Sequence, residues 1–259
     1  MTNSDWTVHK FGGSSLANAD CFRRVADILD NHAPAQLGVV LSACRGVTDM
    51  LLGLVVLAES QDDACTRRLA DLRALHVGIA ETLLKPSAAA AYVEKLDADL
   101  RDIAGILNSV RLIRAAADNI RDLIAGFGEI WSTRLFTEFY RERGKRPGEV
   151  RWIDARRVVV VDPDPLGPRV DWEASQRRFD ALVERNFSGT LIITGFIASD
   201  RQDIQTTLGR NGSDFSSSIF GVLCNAREIY IWTDVDGVLS ADPRLVPDAC
   251  ARCRRGVRA

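Results

Sequence analysis

The sequence predicts an α/β fold with a central, mainly parallel β-sheet covered by helices. Three observations predict it. Strand-like apolar runs recur along the chain, at Trp6–His9, Leu37–Leu41, Val150–Ile153, Val158–Val161, Leu191–Thr194 and Ile229–Trp232. Segments of helical spacing stand between many of them. Leu37-Gly38-Val39-Val40-Leu41 is apolar without alternation, as a strand buried on both faces requires.

Taken in order, the first strand runs directly into Lys10-Phe11-Gly12-Gly13-Ser14-Ser15. Asn18 to Asn31 then places Phe22, Val25, Ala26 and Leu29 at helical spacing. The second strand ends in Ser42-Ala43. From Asp49 to Arg143 the pattern is almost wholly helical, with breaks near Lys85-Pro86 and around Gly126-Phe127-Gly128. The polar, Thr-rich stretch between Ala198 and Gly212 suits a hairpin or a flap. A helix from about Asp214 to Asn225 precedes the last strand. From Cys250 onward, four arginines in ten positions follow no period, and this tail is predicted to be solvated and disordered.

At 259 residues, with 46% hydrophobic and 26% charged side chains, the chain has the composition of a soluble globular protein with a substantial core. A net charge of −2 argues against nucleic acid or an anionic membrane as the main partner. The longest apolar runs, such as Met50–Ala58, fall short of a membrane span, and no signal peptide precedes the first strand. Six scattered cysteines then read as reduced thiols in a cytoplasmic protein. Cys250-x-x-Cys253 lacks a second ligand pair, so no zinc site is expected.

The glycine turn after the first strand carries the strongest chemical signal. Consecutive glycines allow backbone N–H groups to converge on an anion, through a close approach or positive φ. Lys10 adds a mobile point charge suited to a transferring phosphoryl group. The chain uses 33 Lys plus Arg, of which only Lys10, Lys85, Lys95 and Lys145 are lysines, so a lysine here stands out from an arginine default. The plainer alternative is a tight strand–helix turn with a surface lysine. A Walker loop is absent.

Other polar groups follow strand ends, where open α/β sheets bind ligands. Ser42, Arg45 and Thr48 either cap a helix or line a site. Glu129 is a first-turn carboxylate or a ligand for a substrate ammonium. Thr206 to Asp214 puts Arg210 between glycines before a helix start, which suits two-point capture of a carboxylate. Asp214 either complements that helix dipole or orients Lys10. Thr233, Asp234 and Asp236 close the last strand and could serve a ribose, a metal ion or a turn.

In combination these segments resemble a known family. Lys-Phe-Gly-Gly-Ser-Ser, Leu-Ser-Ala (41–43), Gly-Glu (128–129), Thr-Gly-Phe-Ile (194–197), Leu-Gly-Arg-Asn-Gly-Ser-Asp (208–214), Trp-Thr-Asp-Val-Asp-Gly-Val (232–238) and Asp-Pro-Arg (242–244) keep the order of aspartate kinases. The resemblance runs from about residue 6 to 249. Its wording is most similar to the kinase portion of bifunctional aspartokinases fused to homoserine dehydrogenase or diaminopimelate decarboxylase. Leu41–Asp49 leans towards the latter.

The resemblance implies an amino-acid-kinase-like three-layer sandwich over residues 1–249. It further implies transfer of the γ-phosphoryl of ATP, with Mg²⁺, to the β-carboxylate of L-aspartate, the first step of lysine, threonine and methionine biosynthesis. Lys10 would stabilise the transferring phosphoryl, with Asp214 positioning it and Gly12, Gly13 and Ser14 on phosphate oxygens. Arg210 would hold the α-carboxylate and Glu129 the ammonium, with Ser42, Thr48, Gly212 and Ser213 in the same pocket. Thr233, Asp234 and Asp236 would contact the nucleotide or its Mg²⁺ environment, with Gly237 and Arg244 also on the nucleotide and no dedicated metal-ligand residues implied. Partners are then small molecules, and a homo-oligomer is one assembly open to the chain.

Two departures stand out. Ser14 replaces the family's usual threonine and keeps the hydroxyl. After Ala249, family members continue into a Phe-Gly-Ala-Lys-type segment that contacts the nucleotide, then into regulatory ACT domains. Neither follows here, and residues 250–259 look like out-of-frame translation, which predicts a truncated chain with weakened ATP binding. An inactive nucleotide-binding remnant is therefore the competing expectation. A sister kinase for glutamate or acetylglutamate fits Arg210–Asp214 and Trp232–Gly237 less well.

Overall fold

In a computed structural model, residues 5–32, 35–145, 148–162, 164 and 167–233 are described. The first strand, β1 (Trp6–Phe11), leads through a 3-10 turn (Gly13–Leu16) to α1 (Ala19–Asn31) and then β2 (Gln36–Leu41). The Asn18 side chain starts α1 by accepting the Cys21 N–H at 3.0 Å. Five helices follow: α2 (Val47–Glu59), α3 (Ala64–Leu83), α4 (Pro86–Ile113), α5 (Asp118–Ala125) and α6 (Phe127–Arg143). Pro86 opens α4, where its missing N–H costs nothing.

The second half contains β3 (Glu149–Ile153), the short pair β4 (Val161–Asp162) and β5 (Arg169–Val170), and α7 (Trp172–Leu182). It ends with β6 (Gly189–Thr194), β7 (Ile197–Ser199), β8 (Gln205–Thr207), α8 (Gly212–Leu223) and β9 (Glu228–Trp232). Five strands form the main sheet in the order β3-β6-β2-β1-β9. Every pairing in it is parallel, as predicted. β6 is buried along its whole length and β2 at every residue after Gln36, which is why both read as apolar runs.

Crossover connections between the parallel strands place the helices in two layers. On one face, Phe22 of α1 packs on Phe136 of α6, and Arg143 of α6 pairs with Asp30 of α1 at 2.7 Å. On the other, Phe179 of α7 meets Phe220 of α8 edge-on. Chain leaving β1 and β2 therefore turns to one face, while chain leaving the adjacent β6 turns to the other. The crevice at the carboxyl ends of β2 and β6 is the topological switch point, where open α/β sheets take ligands.

Several expectations need correction. Val158–Val161 is buried but does not join the main sheet. Asp154 caps a 3-10 turn (Ala155–Arg157) that swings the chain away, leaving Val161 paired with Val170 and Val160 bridged to Ser199. The long helical block has two further breaks. Gln61 and Arg114 both adopt left-handed φ of 59°. Side chains replace glycine as punctuation there: Asp62 accepts the Ala64 N–H, and Glu59 accepts the Ala116 N–H at 2.9 Å. α7, capped by Asp171, has no counterpart among the predicted helices. The hairpin expected after Ala198 is present as β7 and β8, joined antiparallel. Among the described cysteines, Cys21, Cys44 and Cys65 are free thiols.

Candidate active site

Lys10 sits inside the sheet, in register with Val40 of β2 and Ile231 of β9. Its stem is buried, and its Nζ lies 2.6 Å from Asp214 Oδ1 in the first turn of α8. Sequence reasoning leaves Asp214 between helix acid and lysine partner; the geometry makes it the partner. Asp214 is 42% exposed, so the pair opens to solvent on the acid's side. An ammonium has three donors, and this pairing occupies one.

Neither Gly12 nor Gly13 has a left-handed backbone, and Gly13 serves close approach. A Cβ on Gly12 would stand 3.5 Å from Lys10 Nζ. One on Gly13 would meet the Ala43 carbonyl at 3.0 Å and the Arg45 Cα at 3.4 Å. Gly13 thus lets the loop after β1 lie against the loop after β2. The Ser42 N–H donating to the Phe11 carbonyl at 3.2 Å ties the two together.

Between these loops and α8 lies a cleft of about 330 Å³ at the switch point. Gly13, Ser42, Thr48, Glu129, Gly212 and Ser213 line it, so six predicted site residues converge. Ser42 Oγ donates to Ser213 Oγ at 3.0 Å, joining the β2 loop to the start of α8. The N-termini of α2 and α8 both face the cleft, through Gly46 and Gly212. Helix N-termini carry partial positive charge and unpaired N–H groups, which favours an anionic ligand.

Two carboxyls, Asp49 and Glu129, stand among the lining residues, and Glu129 is the buried one. Gly126 ends α5, and α6 carries Glu129 in its first turn. Gly128 brings α6 so near the β2 loop that a Cβ there would stand 2.7 Å from Ala43 Cβ. Glu129 Oε1 accepts the Ala43 N–H at 3.1 Å. Oε2 is buried and has no hydrogen-bond partner. Burial pushes the carboxyl up from 4.5 to about 8, against the lowering effect of the Ala43 N–H. A buried acid at the wall of a cleft can take a cationic group, whose charge would favour its ionised form. The neighbouring Cys44 thiol is pushed up to about 12 by its own burial and by Glu129, so it is no nucleophile at neutral pH.

Other predicted residues fall elsewhere. Arg210 is exposed between two lining residues, Gly209 and Asn211, with its guanidinium outside the cleft wall. Ser14 and Thr233 share a separate cleft of about 250 Å³ with Phe11 and Trp232, whose rings stack 5.7 Å apart. Asp234, Asp236, Gly237 and Arg244 lie outside the described residues, as do Cys250, Cys253 and the tail. Larger grooves of about 790 and 620 Å³ run along α4, but ion pairs such as Arg73–Asp97 and Arg134–Asp99 occupy their charges.

Sequence reasoning misses Phe196 and Asn211 as cleft walls. Both have left-handed backbones, with φ of 66° and 57°. The Phe196 N–H donates to Ser216 Oγ at 2.9 Å and its carbonyl accepts the Leu208 N–H at 2.7 Å, which hold that strained conformation. Their signal in the sequence is membership of the Thr-Gly-Phe-Ile (194–197) and Leu-Gly-Arg-Asn-Gly-Ser-Asp (208–214) segments.

The model of the amino acid kinase family matches residues 5–254. The chain belongs to the amino acid kinase family. Among curated relatives, this family member is 39% identical to the bifunctional aspartokinase/homoserine dehydrogenase 2, chloroplastic, of Arabidopsis thaliana. That match covers 94% of this chain and 26% of the plant protein. It is 34% identical to the lysine-sensitive aspartokinase 3 of Escherichia coli K12, over 95% of this chain and 53% of that one. The solved structure of E. coli aspartokinase III in complex with aspartate and ADP (R-state) superposes with a TM-score of 0.81 at 32% identity, covering 95% of this chain and 53% of that chain. The chain spans between 26% and 53% of the length of these relatives.

Proposed function

We propose that the chain transfers the γ-phosphoryl of ATP to the β-carboxylate of L-aspartate. The observation that carries the proposal is the cleft itself: it is lined by two helix N-termini and by Glu129, which keeps one buried oxygen without a hydrogen-bond partner among the described residues, beside the Lys10–Asp214 pair. An acidic α-amino acid such as aspartate offers the matching charges, one ammonium and two carboxylates. The names of the relatives and the aspartate and ADP bound in the E. coli structure point to the same substrates.

In this reading Glu129 takes the ammonium, and Arg210 folds over the α-carboxylate from the cleft mouth. Ser42, Thr48, Gly212 and Ser213 fix the rest of the amino acid. The β-carboxylate needs no general base, because an ordinary carboxyl with a pKa of about 4 is already ionised. Its oxygen attacks the γ-phosphorus as the bond to the β–γ bridging oxygen breaks, and that electron pair leaves on ADP. Lys10 neutralises charge on the moving phosphoryl, Asp214 holds Lys10, and the Gly12–Ser14 turn receives phosphate oxygens. The protein's contribution is alignment and charge neutralisation.

ATP needs Mg²⁺ in such chemistry, and the ion stabilises charge on the phosphates. Among the described residues, no group of three His, Cys, Asp or Glu side chains is arranged to hold a metal. Mg²⁺ is assigned to the nucleotide, whose phosphates and waters would supply most of its ligands. Thr233, with Asp234, Asp236, Gly237 and Arg244, is assigned to the nucleotide. No helix among the described residues is long and apolar enough to cross a membrane. A cytoplasmic site of action is proposed from the free thiols, while the plant relatives are named chloroplastic.

The test is trapping of an acyl phosphate with hydroxylamine, using ATP and aspartate, glutamate or acetylglutamate. Hydroxamate from aspartate alone is expected. Product from another acid, or none, overturns the proposal.

A further inference from the structure

The β7–β8 hairpin leads straight into the Leu208–Asp214 segment, yet it is only two short strands. Its anchorage comes from outside. Thr206 Oγ1 donates to Asp122 Oδ2 at 3.1 Å, Thr207 N–H to the same oxygen at 3.2 Å, and Thr207 Oγ1 to Oδ1 at 3.1 Å. Side chains of consecutive strand residues normally diverge. Here both hydroxyls turn to one carboxylate, one on each oxygen. Asp122 makes no ion pair among the described residues, so its charge is compensated by these three donors. Gln205 adds a second layer, donating to the Asp122 carbonyl at 2.8 Å and accepting from Arg156 Nη1 at 2.7 Å.

Asp122 stands on α5, which Gly126 joins without a loop to the α6 turn carrying Glu129. The same carboxylate therefore ties the segment bearing Arg210 to the segment bearing Glu129. We propose that Asp122 is a positioning residue for the amino-acid site, setting the distance between the group that receives the ammonium and the group that receives the α-carboxylate. This rests on the aspartate-kinase reading above. Asp122 touches no substrate; it acts through the hairpin.

The clamp makes a specific pattern of effects. In the full chain, Asp122→Asn keeps the shape but replaces one acceptor oxygen with a donor. The aspartate KM should rise roughly tenfold, the scale of one charge-assisted hydrogen bond, with the ATP KM and kcat within about twofold. Thr207→Val should act in the same direction, Thr207→Ser should stay near the parent, and Asp122→Asn with Thr207→Val should be less than additive. Amide hydrogen exchange at Thr207 should speed up in Asp122→Asn whether or not any substrate turns over.

An unchanged aspartate KM, or equal increases in both KM values, would overturn the positioning role. If the parent makes no aspartyl phosphate, the aspartate-kinase reading falls by itself. Exchange at Thr207 then still decides the clamp, and an unchanged rate would refute it. Should Asp122→Asn fail to fold, Thr207→Val against Thr207→Ser carries the same comparison.

Discussion

Replacing Glu129 by Gln should stabilise the unliganded protein, and more so as pH rises. Folding raises this carboxyl from 4.5 to about 8 because burial disfavours its charge. The sign follows from linkage: the group's contribution is fully present below pH 4.5 and is lost as pH climbs through 8. A tenfold change in proton affinity is worth about 1.4 kcal/mol, so the rise from 4.5 to about 8 amounts to about 5 kcal/mol. Gln mimics the protonated acid, keeping an oxygen for the Ala43 N–H. The stability gap between the variant and the parent should be about 1 kcal/mol at pH 5 and about 3 kcal/mol at pH 7. Urea unfolding at a series of pH values reads it directly. In the parent, an ammonium ligand must first find Glu129 ionised, so aspartate affinity should rise roughly tenfold from pH 6 to pH 7 and level off above pH 8. In Glu129→Gln it should be weak and flat. A stability gap that does not change with pH would refute the buried, proton-holding socket.

The remaining predictions address the other groups of the site. Lys10→Ala should cut turnover by ~10²–10³-fold with a smaller change in ATP affinity, because the ammonium acts on charge in transfer; near-parental turnover in a rapid-quench assay would remove it from the mechanism. Arg210→Lys should raise the aspartate KM while leaving the ATP KM nearly unchanged, since the charge stays but the planar fork is lost; equal losses for both substrates would assign Arg210 to the fold or the phosphates. Gly128→Ala inserts a methyl against Ala43 Cβ and Val47 Cγ1, and should cost about 1–3 kcal/mol of stability while weakening aspartate binding; a neutral variant in thermal unfolding would show that the α6–β2 loop contact is slack.

Much of this is legible in the sequence, for identifiable reasons. Strands buried on both faces must be apolar throughout, so β2 is plain from Leu37 to Leu41. The Asn18 cap and the apolar stripe of Phe22, Val25, Ala26 and Leu29 mark α1 almost to the residue. Six predicted residues meet in one cleft because strand ends in a parallel sheet share one edge. What escapes depends on tertiary contacts. Val158–Val161 carries a full strand pattern, but Asp154 turns the chain before it can reach the sheet. The left-handed backbones of Gln61, Arg114, Phe196 and Asn211 have no glycine to announce them. Asp122 reads as one more acid on a helix, because the threonines that give it meaning lie more than eighty positions away. Gly12 and Gly13 stand out in the sequence, though neither is left-handed and Gly13 serves the close packing of two loops.

The central claim is that the cleft aligns one particular carboxylate of aspartate with the γ-phosphorus, and the position of the new bond tests it most directly. The chain should be incubated with Mg-ATP and aspartate, and the mixture reduced with borohydride, which converts an acyl phosphate to an alcohol. Phosphorylation of the β-carboxylate leaves homoserine, and phosphorylation of the α-carboxylate leaves 3-amino-4-hydroxybutanoate. The account predicts homoserine, formed in proportion to ADP and abolished in Lys10→Ala. The isomer would contradict it, as would ADP formation with no reduced amino acid.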